Sequence, residues 1–382
     1  MKKLVIIDGN AIIHRAYHAL PKTMTTRKGE PTNAVYGFIT TLIKVLEDLK
    51  PDYIAASFDL AGPTFRHQTF KEYKATRIKA DQELYDQIPR VKEIVEVMNI
   101  PIYEKQGYEA DDCIGTIVEK IRNSNIEIRN KSEIRNSKKT MEQLNNETMI
   151  YIVSGDKDIY QLIDGKVKVY SLRKGLSQTQ IVDHETIKKE YNLDPCDFID
   201  LKALAGDASD NIPGVPGIGS KTATQLLQDF DTLEKLYEAI GKSASNCHPE
   251  LDSGSKKNEI PDHPSRLRLA EAEVRNDKLA KIKPRILELL IKYKDQAFLS
   301  QKLATIHRDV PIKFSLEDAK WGEYDRNKLR ILFEELGFQS LLRRFDDKNN
   351  DEAGMTNDEK MTKSEKNLKP EMEKEDQQLK LL

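Results

Sequence analysis

Short apolar runs in the first half of this chain each stop at an acid. Asp8 closes Leu4–Ile7, Asp59 closes Tyr53–Phe58, and Asp156 and Asp158 follow Ile150–Val153 across Ser154–Gly155. Runs this short suit buried strands, and they alternate with segments of helical spacing. Gly37–Leu49 carries Phe38, Leu42, Val45, Leu46 and Leu49 on one face, and Leu84–Met98 and Glu109–Arg122 are amphipathic in the same way. With Lys166–Ser171 as a further strand, the alternation predicts an α/β fold, a mainly parallel sheet with helices on both faces. In such a sheet the carboxyl ends of the strands form the ligand crevice. The acids therefore stand where a ligand would bind.

Two more acidic groups join them: Glu109, Asp111 and Asp112 in GYEADD, and Asp207 and Asp210 in LAGDASDN. Each placement alone suits a turn, a helix cap or an acidic first helical turn. Gathered together, nine carboxylates repel one another unless a strong positive charge joins them. Hard cations such as Mg²⁺ or Mn²⁺ take oxygen ligands. The reading is two ions. Asp8, Asp59, Glu109 and Asp111 hold one, Asp156, Asp158, Asp207 and Asp210 the other, and Asp112 serves either or supports from behind. Two ions about 3.5–4 Å apart clamp both oxygens of an in-line displacement at phosphorus.

A basic stretch lies between the second strand and the next helix. Arg66, Lys71, Lys74, Arg77 and Lys79 alternate with Phe65, Phe70 and Tyr73. Cations neutralise phosphates and aromatics stack on unpaired bases. Lys74 and Arg77 are three apart, so one helical turn aims both at a common phosphate. Further on, GVPGIGSKTA spans Gly214–Ala223. Gly217 and Gly219 allow a tight turn with exposed N–H groups, and Ser220, Lys221 and Thr222 open a helix whose N-terminus attracts anions. No Walker A spacing is present, and no strand precedes these glycines, which excludes a dinucleotide fingerprint.

From about His184 the pattern turns helical, with helices expected at Pro195–Ala205, Ser220–Asp229, Thr232–Ile240, Lys281–Lys294, Gln296–Thr305 and Arg326–Phe345. The expected organisation is a catalytic core over 1–183, with a polar insertion at 123–148. A helical DNA-binding lobe follows over 184–345, with a polar insertion at 243–277, and then a disordered charged tail over 346–382. That tail holds eleven acids and seven lysines, so the rest of the chain is slightly basic although the whole carries −2. Any basic surface is local. Cys113, Cys196 and Cys247 show no CxxC spacing, which argues against structural zinc and a disulfide framework. No run approaches the ~20 apolar residues of a membrane span. A soluble monomer in a reducing cytoplasm is expected.

MKKLVIIDGN, HRAYHALP, FRHQTFKEYKATR, GYEADDCIGT, YIVSGDKDIYQL and LAGDASDNIPGVPGIGSKTA, in this order, resemble the 5′-nuclease domain of bacterial DNA polymerase I, within the flap endonuclease superfamily. The resemblance covers roughly 1–345 apart from the insertions. It implies a PIN-like core, a helical arch and a helix–hairpin–helix element. It also implies two Mg²⁺ or Mn²⁺ ions on the nine acids, and arch residues Lys74 and Arg77 at the scissile phosphate. Tyr17 would lie near the substrate's unpaired end. Gly214, Gly217 and Gly219 would grip duplex DNA, with a monovalent cation such as K⁺ on the hairpin carbonyls. The implied substrates are 5′ flaps, nicks and RNA primers in replication and repair, and the implied partner is a DNA polymerase in cis or in trans. IKADQEL follows YKATR where the family often has prolines. A free-standing nuclease and a piece of a longer polymerase both remain open. The competing readings are a non-catalytic flap-binding relative and a PIN-type ribonuclease.

Overall fold

In a computed structural model, residues 1–77, 80–129, 148–174, 178–245 and 277–344 are described. Most of both expected insertions, Lys79 and the whole charged tail lie outside them. Six strands form one sheet in the order β3-β2-β1-β4-β5-β6. These are β1 Lys2–Asp8, β2 Tyr53–Ser57, β3 Ile102–Tyr103, β4 Thr148–Ser154, β5 Val167–Lys174 and β6 Gln178–Val182. β1 to β5 run parallel and β6 is antiparallel to β5. The strand order reverses between β1 and β4, so the ligand crevice of this sheet opens beyond Asp8 and Ser154.

Side chains alternate across each strand, and the alternation divides the interior into two cores. Val5, Ile7, Ile54, Ala56 and Val153 pack under α1 (Gly9–Ala19), α2 (Asn33–Leu49) and α4 (Gln82–Val97). Leu4, Ile6, Ala55, Ile150 and Ile152 pack on the other face, against α5 (Ala110–Arg129) and a 3₁₀ turn at Asp158–Leu162. A short helix, α3 (Phe65–Thr69), follows β2. A third core lies in a helical lobe. Its helices are α6 (His184–Tyr191), α7 (Asp197–Ala205), α8 (Ser220–Phe230), α9 (Leu233–Ser245), α10 (Asp277–Ala280), α11 (Pro284–Lys292) and α12 (Lys294–Ala304).

Several boundaries differ from the sequence reading. Helix α1 follows β1 with no turn between them, because Asp8 ends the strand and also caps the helix, accepting from the Ala11 N–H at 3.1 Å. The stretch expected as one helix from Arg326 to Phe345 stops as α13 at Glu335, since Gly337 has φ +74°. The expected helix Lys281–Lys294 ends at Lys292, and α12 starts after Tyr293. Helix α5 runs on to Arg129, into the expected insertion, and β4 begins at its last residue. The described residues after α12 also leave the helical lobe. Ile306, Val310 and Ile312 join the α5 core, and Leu329, Phe333 and Leu341 join the α1–α2 core.

Ile6 is fully buried beneath α5. Ile6→Ala is expected to cost about 2–5 kcal/mol in urea unfolding. The same change at exposed Ile181 is expected to stay within about 0.5 kcal/mol.

Candidate active site

The crevice at the β1/β4 switch point holds a cleft of about 230 Å³ lined by Asp8, Asp59, Glu109, Asp111 and Asp156, with Asn10, His14, Lys74 and Arg77. Each acid is held by its own element. The Ser154 hydroxyl at the end of β4 donates to Asp8 Oδ2 at 2.7 Å and accepts from the Asp156 N–H at 3.0 Å. Asp59 accepts from the Ala110 N–H at 2.7 Å, which ties the end of β2 to the start of α5. Asp111 projects from the first turn of α5, and its Oδ1 is buried without a hydrogen-bond partner. An orphaned carboxylate oxygen of this kind is costly unless something positive completes it.

Burial pushes Asp8 up to about 7, against the hydrogen bonds from Ser154 and Ala11. Burial also drives Asp111 well above the carboxylate range, opposed by Arg66 and reinforced by Asp112 and Glu109. An all-oxygen donor set in which burial makes Asp8 and Asp111 hold their protons suits a hard divalent cation. Among the described residues, however, no three of these groups already converge as a coordination sphere. Basic side chains occupy part of the acidic space instead.

Those basic groups separate the nine acids in a way the sequence reading did not. The expected second set adjoins the first: Asp156 lines the same cleft as Asp8, Asp59, Glu109 and Asp111 and accepts from the Asp158 N–H at 3.0 Å. Asp158 and Asp207 are bridged by Lys202 on α7. Burial raises Asp158 to about 7, with Asp156 adding to the rise and Lys202 opposing it. Asp210 accepts from Tyr73 at 3.0 Å and from Arg77. Burial would raise it, but Lys74 and Arg77 prevail and hold it below its ordinary value.

Asp112 lies behind the cleft, fully buried, with both its oxygens taken by protein donors. They accept from Arg66 at 2.8 Å and also take the N–H groups of Glu109 and His307. Arg66 was expected on the DNA surface and is instead 1% exposed. Its guanidinium is spent on Asp112, Glu109 and the carbonyls of Leu303 and Thr305. It is a buried strut joining α3, α5 and the end of α12.

Lys74 stands at φ +56°, rare for a residue with a side chain. Its N–H donates to the Asp210 carbonyl at 2.9 Å, and its ammonium lies 2.8 Å from Glu109. Burial opposes its charge, but Glu109 and Asp210 raise its pKa, so it remains a cation. Arg77 donates to the Ser209 carbonyl at 3.1 Å. Lys71 is exposed. Tyr17 is not at the cleft. It is 1% exposed in the α1–α2 core, and its hydroxyl donates to Asp81 at 2.8 Å. From α1 the cleft is faced by Asn10, Ala11 and His14. Asn10, His14, Ser154 and Lys202 were all missed, and Tyr73, expected to stack on bases, is buried and donates to Glu109 and Asp210. Only Lys202 left a local signal, five positions before Asp207 on a helix that ends at Ala205.

The glycine turn joins α7 to α8. Gly214, expected to touch DNA, is buried with φ +59°. A Cβ there would lie 2.2 Å from the Gly206 nitrogen, so this glycine serves a close approach of backbone to backbone. Gly217, Gly219, Ser220 and Lys221 are exposed, and no side chain caps α8. The carbonyls of Ile212, Gly214 and Val215 accept from the Asp207 N–H, Gln296 and the Ile218 N–H. Each of these carbonyls keeps a second lone pair beside its hydrogen bond.

A carboxylate cleft at parallel strand ends, walled by Lys74 and Arg77 beside a glycine-turn helix pair, defines a nuclease with the flap endonuclease fold. The sequence matches the 5′-3′ exonuclease N-terminal resolvase-like domain over residues 3–192 and the 5′-3′ exonuclease C-terminal SAM fold over 193–272. The chain belongs to the 5′-3′ exonuclease family. It is 38% identical to DNA polymerase I of Bacillus subtilis over 343 residues, covering 90% of this chain and 32% of that protein. With DNA polymerase I of Bacillus caldotenax it shares 36% over 351 residues, covering 92% and 33%. The chain thus spans about a third of the length of the curated relatives it matches. A bacteriophage T5 flap endonuclease, solved as a pseudo-enzyme–product complex with DNA and metal ions, superposes with a TM-score of 0.54 at 17% identity, covering 90% of this chain and 96% of that one. T5 5′-exonuclease with bound zinc gives a TM-score of 0.52 at 17% identity, covering 80% and 90%.

Two outcomes test the site's energetics. Arg66→Met leaves Asp112 buried and unpaired, and is expected to cost about 3–5 kcal/mol in denaturant unfolding. Adding Asp112→Leu should recover much of that loss. Asp8 and Asp158 bind protons more tightly folded than unfolded. In a chelator their contribution is therefore fully present below about 4 and is lost as pH rises to about 7. Stability measured across that window should fall, Asp8→Asn should flatten part of the fall, and saturating Mg²⁺ should oppose it.

Proposed function

We propose that the chain hydrolyses phosphodiesters near 5′ ends of DNA, and of RNA primers paired to DNA, at flaps and nicks during replication and repair. The observation that carries this is the single cleft where five carboxylates face Lys74 and Arg77. Asp8, Asp59, Glu109, Asp111 and Asp156 would hold divalent cations, Mg²⁺ or Mn²⁺ by the chemistry of oxygen donors. Such ions, when bound, lower the pKa of water and stabilise the departing 3′ oxygen.

The chain's own residues orient the substrate. Lys74 and Arg77 form the cationic side of the cleft, and a phosphate entering between them and the acids is fixed from both sides. Because Glu109 and Asp210 keep Lys74 charged, it acts as an electrostatic group and not as a base. Pre-set charge of this kind avoids reorganisation during the reaction. The uncapped start of α8 would offer its N–H groups and Lys221 to duplex phosphates, a contact that positions without reading sequence.

Among the described residues no helix is long and apolar enough to cross a membrane. The same reading has the chain act as a monomer in the cytoplasm with a DNA polymerase in cis or in trans; the polymerase is supported by the likeness to bacterial DNA polymerase I. On a labelled 5′-flap duplex, cleavage is expected with Mg²⁺ and absent in chelator. Lys74→Ala should slow the single-turnover rate by about 10²-fold or more, and Asp156→Asn by at least as much. Tight flap binding without cleavage would indicate a non-catalytic relative, and preference for stem-loop RNA would indicate a ribonuclease.

A further inference from the structure

Beyond the glycine turn, a second basic element has no part in the chemistry above. The segment Lys281–Lys294 carries Lys281, Lys283, Arg285, Lys292 and Lys294 against the single acid Glu288. All five cations are exposed. Apolar Ile282, Ile286, Leu289 and Leu290 hold this segment on the core of the helical lobe, so its charged side is fixed relative to the rest of that lobe.

The contact with the glycine turn locates that side. A Cβ added at Gly217 would lie 3.1 Å from Leu289 Cδ1, so the tip of the turn rests on α11 at this residue. Arg285 is four residues before Leu289 and Lys292 three after it. All three therefore share one helical stripe. The turn thus sits between two exposed cations, about 10 Å apart along the helix axis at roughly 1.5 Å per residue. One strand of duplex advances about 3.4 Å per phosphate, so the stripe spans about three phosphate steps. The nearby cations differ from Lys74 and Arg77 in having no carboxylate cleft to serve.

We propose that Arg285 and Lys292 extend the glycine turn into a longer track for the phosphate backbone of duplex nucleic acid, independent of base sequence. The track rests on the reading of the chain as a duplex-binding nuclease and adds the α11 stripe to its footprint. Turn and stripe approach the backbone together, the turn through N–H groups and Lys221, the stripe through side-chain charge. Removing the stripe loosens binding and leaves the chemical step intact.

The test measures the dissociation constant of a 5′-flap duplex for the full chain across a salt series in Ca²⁺, beside single-turnover cleavage at saturating enzyme in Mg²⁺. For Arg285→Gln/Lys292→Gln, the slope of log K against log salt should shrink by about 1.8, which is about 0.9 for each phosphate no longer neutralised. The saturated cleavage rate should stay at the wild-type value. Lys189→Gln on α6, outside the stripe, should leave the slope unchanged. An unchanged slope in the double variant, with its circular dichroism intact, overturns the track. A wild type that binds with the steep slope yet never cleaves removes the nuclease reading and leaves the track standing.

Discussion

Mutual repulsion among buried carboxylates is the constraint on which this structure depends. A parallel sheet brings Asp8 and Asp156 to one end of adjacent strands, and the start of α5 brings Glu109 and Asp111 to the same cleft with Asp112 behind them. Left alone, such a group would take up protons or push its elements apart. Arg66, Lys74, Arg77 and Lys202 offset part of that repulsion, each tied to one or more of the acids, while burial still lets Asp8 and Asp158 hold protons up to about 7. Their distribution decides what each acid can do. Asp112 is consumed by Arg66 and Asp158 by Lys202, whereas Asp111 keeps an unpartnered oxygen in the cleft.

The same pairings join the parts of the molecule. Arg66 links α3 to α5 and to the end of α12 through the Leu303 and Thr305 carbonyls. Tyr73, Lys74 and Arg77 fasten the basic segment to the loop at Ser209–Asp210, and Tyr73 packs with Ile212, Leu303 and Ala304. That loop leads directly into the glycine turn. The cations beside the cleft and the surface offered to duplex are therefore set by one short stretch of chain. On the proposed reading a 5′ junction would use that coupling, the duplex being held while one phosphate of the 5′ strand is aligned with the acids.

Much of this was legible in the sequence because it is local. The strands β1, β2, β4 and β5 were readable as apolar runs, and the acids at their ends followed from strand polarity. What stayed hidden depends on distant partners. Arg66 and Lys71 look alike in a basic stretch, but only Arg66 meets Asp112, 46 residues away, and is buried by it. Tyr17 lies on α1 next to His18, yet its ring turns into the core while His14, on the same helix, faces the cleft. Gly214 and Gly217 share one motif, but the first is needed for contact with Gly206 and the second for an exposed turn. Helix α1 escaped notice because a single residue, Asp8, both ends a strand and caps a helix.

Direct Mn²⁺ binding, followed by calorimetry on the uncut protein without DNA, tests most plainly whether the cleft acids are a cation site. The account predicts that wild type binds Mn²⁺ and that Asp111→Asn loses most of that affinity. Asp194→Asn, on the surface far along the chain, should bind as wild type does. Equal affinity in wild type, Asp111→Asn and Asp8→Asn would contradict the account, because the carboxylate with the unpartnered oxygen and its neighbour at the end of β1 would then contribute nothing to holding the ion.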